Sequence, residues 1–323
     1  MKTKSLLTAA ISLALISSVN SAEAGAIATS GIQVSNFEIY VGQNTSGSIL
    51  DRSQLGNLTY VSSASTSATL NGVTVTSGTV VETDASVGID LLSSIGVSNP
   101  GHTDNVFNSH QYSSAFGNPL VGASFAFGDQ NETGSPITGI TGASTPANLY
   151  NQSTASIHGS GVGGATSNNG LVADWQFVAG FSDYLTFSYD VTAYLESFVT
   201  IDSVAPTSAQ SGGSIQFLLT DLNDPFATNL LTGATSFTWT TGRNAPLGNG
   251  LPSVAGLATG VGVPLLNVAQ TATTSAALIA GRTYNLTANI FTSANVQSVP
   301  EPSVLALMGL GLLGMASMRK RSA

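Results

Sequence analysis

The sequence predicts a mainly β protein: an antiparallel β-sandwich or jelly-roll-like body with a short apolar segment at each end. Three observations predict it. Apolar and polar residues alternate at period two in several stretches, which gives a strand one buried and one wet face. Ser and Thr make up about a quarter of the 323 residues, and with 35 Gly they supply strand and turn chemistry. Positive charge is concentrated at the two ends: Lys2, Lys4, Arg319, Lys320 and Arg321 flank a span whose only cations are Arg52, Arg243 and Arg282.

Residues 1–24 have the three parts of a secretory signal. Lys2 and Lys4 form the charged start, and Leu6 to Ile16 form an apolar core. Ala22 and Ala24 put small residues at the two positions that a signal peptidase reads. Cleavage is expected after Ala24, with Ala22 as second choice. The body, residues 25–298, then folds in an oxidising compartment without a single cysteine.

Within the body the first strand pattern is Ile32, Val34, Phe37, Ile39 and Val41, with a break at Ser35-Asn36. Asn71-Gly72 between Ala68-Thr69-Leu70 and Val73-Thr74-Val75 reads as a two-residue hairpin. Leu185, Phe187, Tyr189, Val191 and Ala193 alternate with Thr186, Ser188, Asp190 and Thr192, the clearest strand of all. Phe237 and Trp239 sit among Ser236, Thr238 and Thr240. Tyr284, Leu286, Ala288 and Ile290 alternate with Asn285, Thr287 and Asn289. Short helices are expected at 86–95 and 106–116, and 260–280 is ambiguous. Residues 128–170, rich in Gly, Ser, Thr and Asn, read as a loop or linker that pairs at a sheet edge or separates two sub-domains. Residues 244–264, with three prolines, read the same way.

The C-terminal end is the most specific segment. Pro300-Glu301-Pro302 leads into sixteen uncharged residues, Ser303 to Met318, and then Arg319-Lys320-Arg321. As a helix the apolar stretch spans about 24 Å, short of the roughly 30 Å hydrocarbon core. It still suits membrane insertion with the basic triplet on the cytoplasmic side. The prolines break regular structure just ahead of it and leave an extended segment for a processing enzyme.

These three parts, in this order, resemble the PEP-CTERM sorting signal, over about 25 residues. The resemblance implies recognition by an exosortase that cuts near Pro300, Glu301 and Pro302, after transient anchoring in the inner membrane by a single hydrophobic sorting helix. It implies export by a Gram-negative bacterium that makes exopolysaccharide, and delivery to the outer surface or extracellular matrix. The signal is an address and leaves the body's work to be read from the body.

Composition excludes several classes. Between Gly25 and Val299 fifteen acids face three arginines, an excess of twelve negative charges. Such a surface repels nucleic acid. Without cysteine there is no thiolate zinc site or iron–sulfur cluster. Gly159-Ser160-Gly161-Val162-Gly163-Gly164 matches the dinucleotide-binding spacing, but no strand–helix context surrounds it.

His102, Asp104 and His110 are a local set of metal-ligand types, yet they sit in a polar segment that reads as exposed chain. Asp221, Asn223 and Asp224 before Pro225 offer oxygen ligands for calcium; an Asx turn at the end of a strand explains them with less. No other cofactor is expected and no catalytic residue is assigned. Asp174, Asp183, Asp190 and Glu196 lie among Trp175, Phe177, Phe181, Tyr184, Phe187 and Tyr189, a composition that suits a glycan site, whereas alternation of the aromatics suits a core. Asn44, Asn57, Asn131, Asn151 and Asn285 fit the glycosylation triplet.

The expected function is therefore that of an exported, non-enzymatic structural or adhesive protein associated with exopolysaccharide. The alternatives are a secreted carbohydrate-binding module or glycan-active enzyme, and an envelope protein whose tail stays uncut. Its expected partners are signal peptidase and the secretion machinery, the exosortase and the polysaccharide.

Overall fold

Where side chains alternate, the chain pairs. In the computed structural model, residues 25–82, 90–96, 124–158, 163–199, 207–224, 226, 228–244 and 268–298 are described. They form β1 (Gly25–Val41), β2 (Leu55–Leu70), β3 (Val73–Glu82), β4 (Asp90–Gly96), β5 (Phe125–Thr133), β6 (Ala147–His158), β7 (Gly163–Ala179), β8 (Leu185–Val199), β9 (Ser208–Asp221), β10 (Leu231–Gly233), β11 (Ser236–Asn244), β12 (Val268–Thr274) and β13 (Thr283–Ser298). Sheet one runs β10-β12-β8-β1-β6-β5-β4 and sheet two β11-β9-β13-β7-β2-β3. Every ladder between named strands is antiparallel. The body is a two-sheet sandwich.

The break read at Ser35-Asn36 is a β-bulge. Register shifts there against both β6 and β8, and Asn36 takes φ 54°. The extra residue switches the inward parity of β1 from Ile32 and Val34 to Phe37 and Ile39, all fully buried. Asn57, at φ 34°, marks a second shift in β2, between Leu55 and Tyr60. The hairpin closes as expected: Leu70 pairs with Val73, and Asn71 and Gly72 both take positive φ.

Two expectations are corrected and one ambiguity is resolved. Residues 128–170 are not a linker. They contain most of β5, all of β6 and the first part of β7, and β6 and β7 lie inside their sheets rather than at an edge. Asn151, Ser153 and Asn169 are buried in hydrogen bonds between the sheets, and other polar residues of the segment are buried too, so low hydrophobicity hid the strands. The helix expected at 86–95 is strand β4 from Asp90 onward, because pairing with β5 overrides a short apolar run that suits either period. Residues 268–274 of the ambiguous stretch are β12. The expected helix at 106–116 and most of 244–264 lie outside the described residues, as do both end segments.

The core has two unequal parts. The larger is aromatic: Phe37 lies 5.3 Å from Phe217, 6.0 Å from Trp175 and 6.1 Å from Tyr189 between ring centroids. The smaller is built mostly from alanines, among them Ala28, Ala155, Ala165, Ala209 and Ala294, with Ile157, Val199 and Val296. Small side chains let the sheets close up: Cα atoms of β6 and β13 approach within 8 Å, against the usual ~10 Å between stacked sheets.

Between the two parts runs a belt of short polar side chains that bridges the sheets. Asn151 Nδ2 donates to the carbonyls of Asn169 (3.2 Å) and Ile290 (3.1 Å), and its Oδ1 accepts from Thr292 Oγ1 (2.8 Å). Ser30 Oγ donates to Gly212 O at 2.7 Å, and Ser153 Oγ to Thr292 O at 3.1 Å. Asn169 reaches back to Ser153 Oγ at 2.9 Å through space that a side chain at Gly128 would fill. At the side of the sandwich Ser93 Oγ binds Thr66 Oγ1 (2.5 Å) and the Ser77 amide (2.8 Å).

Register also fixes the ends. Gly25 pairs with His158 and Ser298 with Gly163, so the first residue of β1 and the last of β13 lie at the same, alanine-rich end. The opposite end is built from the segments 42–54, 134–146, 180–184, 222–230 and 275–282.

Candidate functional site: an uncharged sheet face and a sorting tail

Alternation along five adjacent strands lines the outer face of sheet two with hydroxyls and amides. Register sets them in rows. One row is Ser67, Asn168, Ser293, Gly212 and Thr240; the next is Ser65, Gly170, Phe291, Ser214 and Thr238. Neighbouring strands are about 4.8 Å apart, so the hydroxyls and amides of each row stand at regular spacing, interrupted at Gly212 in the first row and at Gly170 and Phe291 in the second. The side-chain amides of Asn168, Asn289, Asn295, Gln210 and Gln216 find no protein partner among the described residues, which leaves them to solvent or a ligand. A further row, Val61, Asp174, Thr287 and Leu218, places a carboxylate on this face, and Asp174 accepts from Thr287 Oγ1 and from Asn285 Nδ2 (3.3 Å).

Phe291 interrupts this polar array. It is 44% exposed, and its register neighbours Gly170 and Ser214 are too small to cover it. A shallow depression of about 470 Å³ adjoins the ring, lined by Ser65, Ser67, Thr76, Asn168 and Gly170. A ring face bordered by uncharged donors and acceptors is what stacking against a sugar ring requires. Sequence reasoning missed Phe291, although the signal was there. Carrying the alternation of Tyr284, Leu286, Ala288 and Ile290 one residue further puts it on the wet side.

The acid–aromatic region proposed as a glycan site is dismantled by the same alternation. Trp175, Phe177, Phe187 and Tyr189 are buried between the sheets, while Asp174 and Asp190 point the other way and Asp183 lies in an exposed loop. Burial pushes the Tyr189 hydroxyl well above its ordinary value, and it donates to Ala234 O. Glu196 is buried and accepts from Tyr194. Phe181 and Tyr184 are half-buried at the end loops.

Asp221, Asn223 and Asp224 form the expected turn. Asp221 Oδ1 accepts from the Asn223 amide (2.9 Å), and its Oδ2 is ion-paired with Arg282 at 2.7 Å. Asn223 Oδ1 accepts from the Thr283 amide, and Asp224 Oδ1 from that of Phe226. These oxygens already serve the loop itself. His102, Asp104 and His110 lie outside the described residues. Gly163-Gly164 open strand β7 where a dinucleotide fingerprint needs a helix. Of the glycosylation triplets, Asn151 is fully buried in the belt.

Sequence reasoning also missed a buried acid. Glu132, at the end of β5, accepts from Tyr60 and Ser62 across the sandwich. Burial pushes its carboxyl above the usual range, against the opposite pull of those two bonds.

The body is thus an antiparallel β-sandwich with a polar sheet face that carries one carboxylate among the described residues, and with Gly25 and Ser298 at one pole. Residues 298–321 match the family of the PEP-CTERM protein-sorting motif. The chain is a PEP-CTERM sorting domain-containing protein: it is exported and sorted, and exosortase is the enzyme that processes such tails. The match starts at Ser298, the last residue of β13, while Pro300, Glu301, Pro302, Arg319, Lys320 and Arg321 lie outside the described residues, as do Ala22 and Ala24. No curated protein and no solved structure matches the chain.

Proposed function

We propose that this is a structural or adhesive protein of the outer surface or extracellular matrix of a Gram-negative bacterium, held there by exopolysaccharide. In this reading signal peptidase cuts at Ala24, the tail anchors the body transiently in the inner membrane, and exosortase then releases it. The body works without catalysis and without a cofactor. One observation carries the reading: an extended face of hydroxyls and amides, with Asp174 as its one carboxylate among the described residues and Phe291 exposed at its centre. Sugars are recognised by such donors and acceptors together with a ring face, and an acidic body favours polymer of low charge.

The test is affinity electrophoresis of the exported protein through gels containing the host's exopolysaccharide. Retardation is expected, and Phe291→Ala reduces the affinity roughly fivefold, for a stacking contact of about 1 kcal/mol. Unchanged mobility of the natural protein in every polysaccharide refutes the reading. The intact mass of the same sample reads the processing: loss of both ends is expected, and a species retaining Arg319 to Arg321 identifies an anchored protein.

A further inference from the structure

Among the described residues sheet two ends on β11, whose stretch 236–240 forms an open edge; beyond it Thr241 O accepts from Ser197 Oγ at 3.3 Å. β11 pairs with β9 from Ser236–Gln216 to Asn244–Ser208 without a register shift, and no strand of the sheet lies beyond it. Natural proteins protect such edges with charge, above all Lys, with Pro, with bulges or by keeping them short. Here the strand has nine residues, its single charge, Arg243, lies next to its last residue, and Ser236-Phe237-Thr238-Trp239-Thr240 carries no charge and no Pro. The whole body contains no lysine. Outward backbone groups of this stretch find no partner among the described residues.

The side chains say what fits. Ser236, Thr238 and Thr240 are exposed on the outer face, while Phe237 and Trp239 are half-buried at the margin of the core, their rings stacked at 5.6 Å and 3°. Around Thr238 the pattern is its own antiparallel complement. If two such strands meet with Thr238 opposite Thr238, Phe237 of each faces Trp239 of the other, and Ser236 faces Thr240. Aromatic pairs form on one face and hydroxyl pairs on the other, the cross-strand combinations that stabilise sheets. A self-complementary patch is the requirement for a closed two-fold contact.

We propose that two copies of this chain join through β11, edge to edge and antiparallel about Thr238, so that sheet two of one copy continues into sheet two of the other. The polar outer faces then form one surface, which doubles the length over which a polymer can be held.

The test uses the processed exported protein. Sedimentation is expected to show twice the chain mass. The chain has no cysteine, so Thr238→Cys introduces a lone thiol that meets its own copy across the two-fold, where opposed Cα atoms are about 5 Å apart, within the span of a disulfide. Mild oxidation links Thr238→Cys into dimers and leaves Asn289→Cys, two strands inward, largely unlinked. Thr238→Lys brings two like charges together and weakens association about tenfold or more, with an unchanged circular dichroism spectrum. A natural protein that stays monomeric as concentration rises overturns the proposal. So does Thr238→Cys linking no faster than Asn289→Cys, or Thr238→Lys associating as the natural protein does.

Discussion

Replacing Asn151 with alanine removes the centre of the polar belt. The side chain is fully buried, donates to the Asn169 and Ile290 carbonyls at 3.2 and 3.1 Å, and accepts from Thr292 at 2.8 Å. Each such bond contributes about 1 kcal/mol net, so the three together amount to roughly 3 kcal/mol. Thr292 keeps Ser153 as a partner, so no further penalty arises from a stranded hydroxyl. At about 2–4 °C per kcal/mol for a chain of this size, the melting temperature falls by about 6–12 °C. Thermal unfolding followed by circular dichroism reads the shift, with Asn289→Ala on the outer face as the control, expected to change stability by less than about 0.5 kcal/mol. Asn151→Asp falls further than alanine, because a carboxylate would face two carbonyl oxygens. A loss below about 1 kcal/mol for Asn151→Ala refutes the reasoning, since a bond that water replaces so readily does not join the sheets.

Two further outcomes follow from the bulge and from the buried acid. Asn36→Val forces a β-branched residue to φ 54° and costs about 1–2 kcal/mol, whereas Asn36→Gly keeps the bulge and stays near the natural protein; a urea midpoint unchanged in the valine variant disproves the strain. Because burial raises the folded-state pKa of Glu132, the folded chain holds that proton where the unfolded chain has released it. Its stabilising contribution is full below the ordinary carboxylate range and is lost as pH rises through the raised value, so Glu132→Gln flattens stability against pH over that window. An unaltered pH profile in that variant counts against it.

Much of this was legible in the chain. Alternation around Phe187 and Tyr189, the Asn71-Gly72 turn and even the parity change at Ser35-Asn36 were visible because apolar residues mark one face of a strand. The tail was legible because its parts are contiguous. What stayed hidden was the polar interior. Asn151, Ser153 and Asn169 look like loop residues, since composition reports hydrophilicity and not whether a hydrogen-bond partner waits on the facing sheet. The glycan site misfired for a related reason: Trp175 and Asp174 are neighbours in sequence but point to opposite faces of β7. Phe291 escaped because one exposed aromatic has meaning only beside Gly170 and Ser214, which other strands supply.

β1 begins and β13 ends at one pole of the sandwich, and each is held on both sides, β1 between β8 and β6 and β13 between β7 and β9. This has a mechanical meaning. Tension applied through the tail while the far loops are gripped runs along β13, perpendicular to the hydrogen bonds of its two ladders. The bonds are then sheared together, where an edge strand pulled sideways would lose them one by one. A pull on the tail before its removal is thus met by the whole central ladder at once, and the fold of the body withstands the anchored stage.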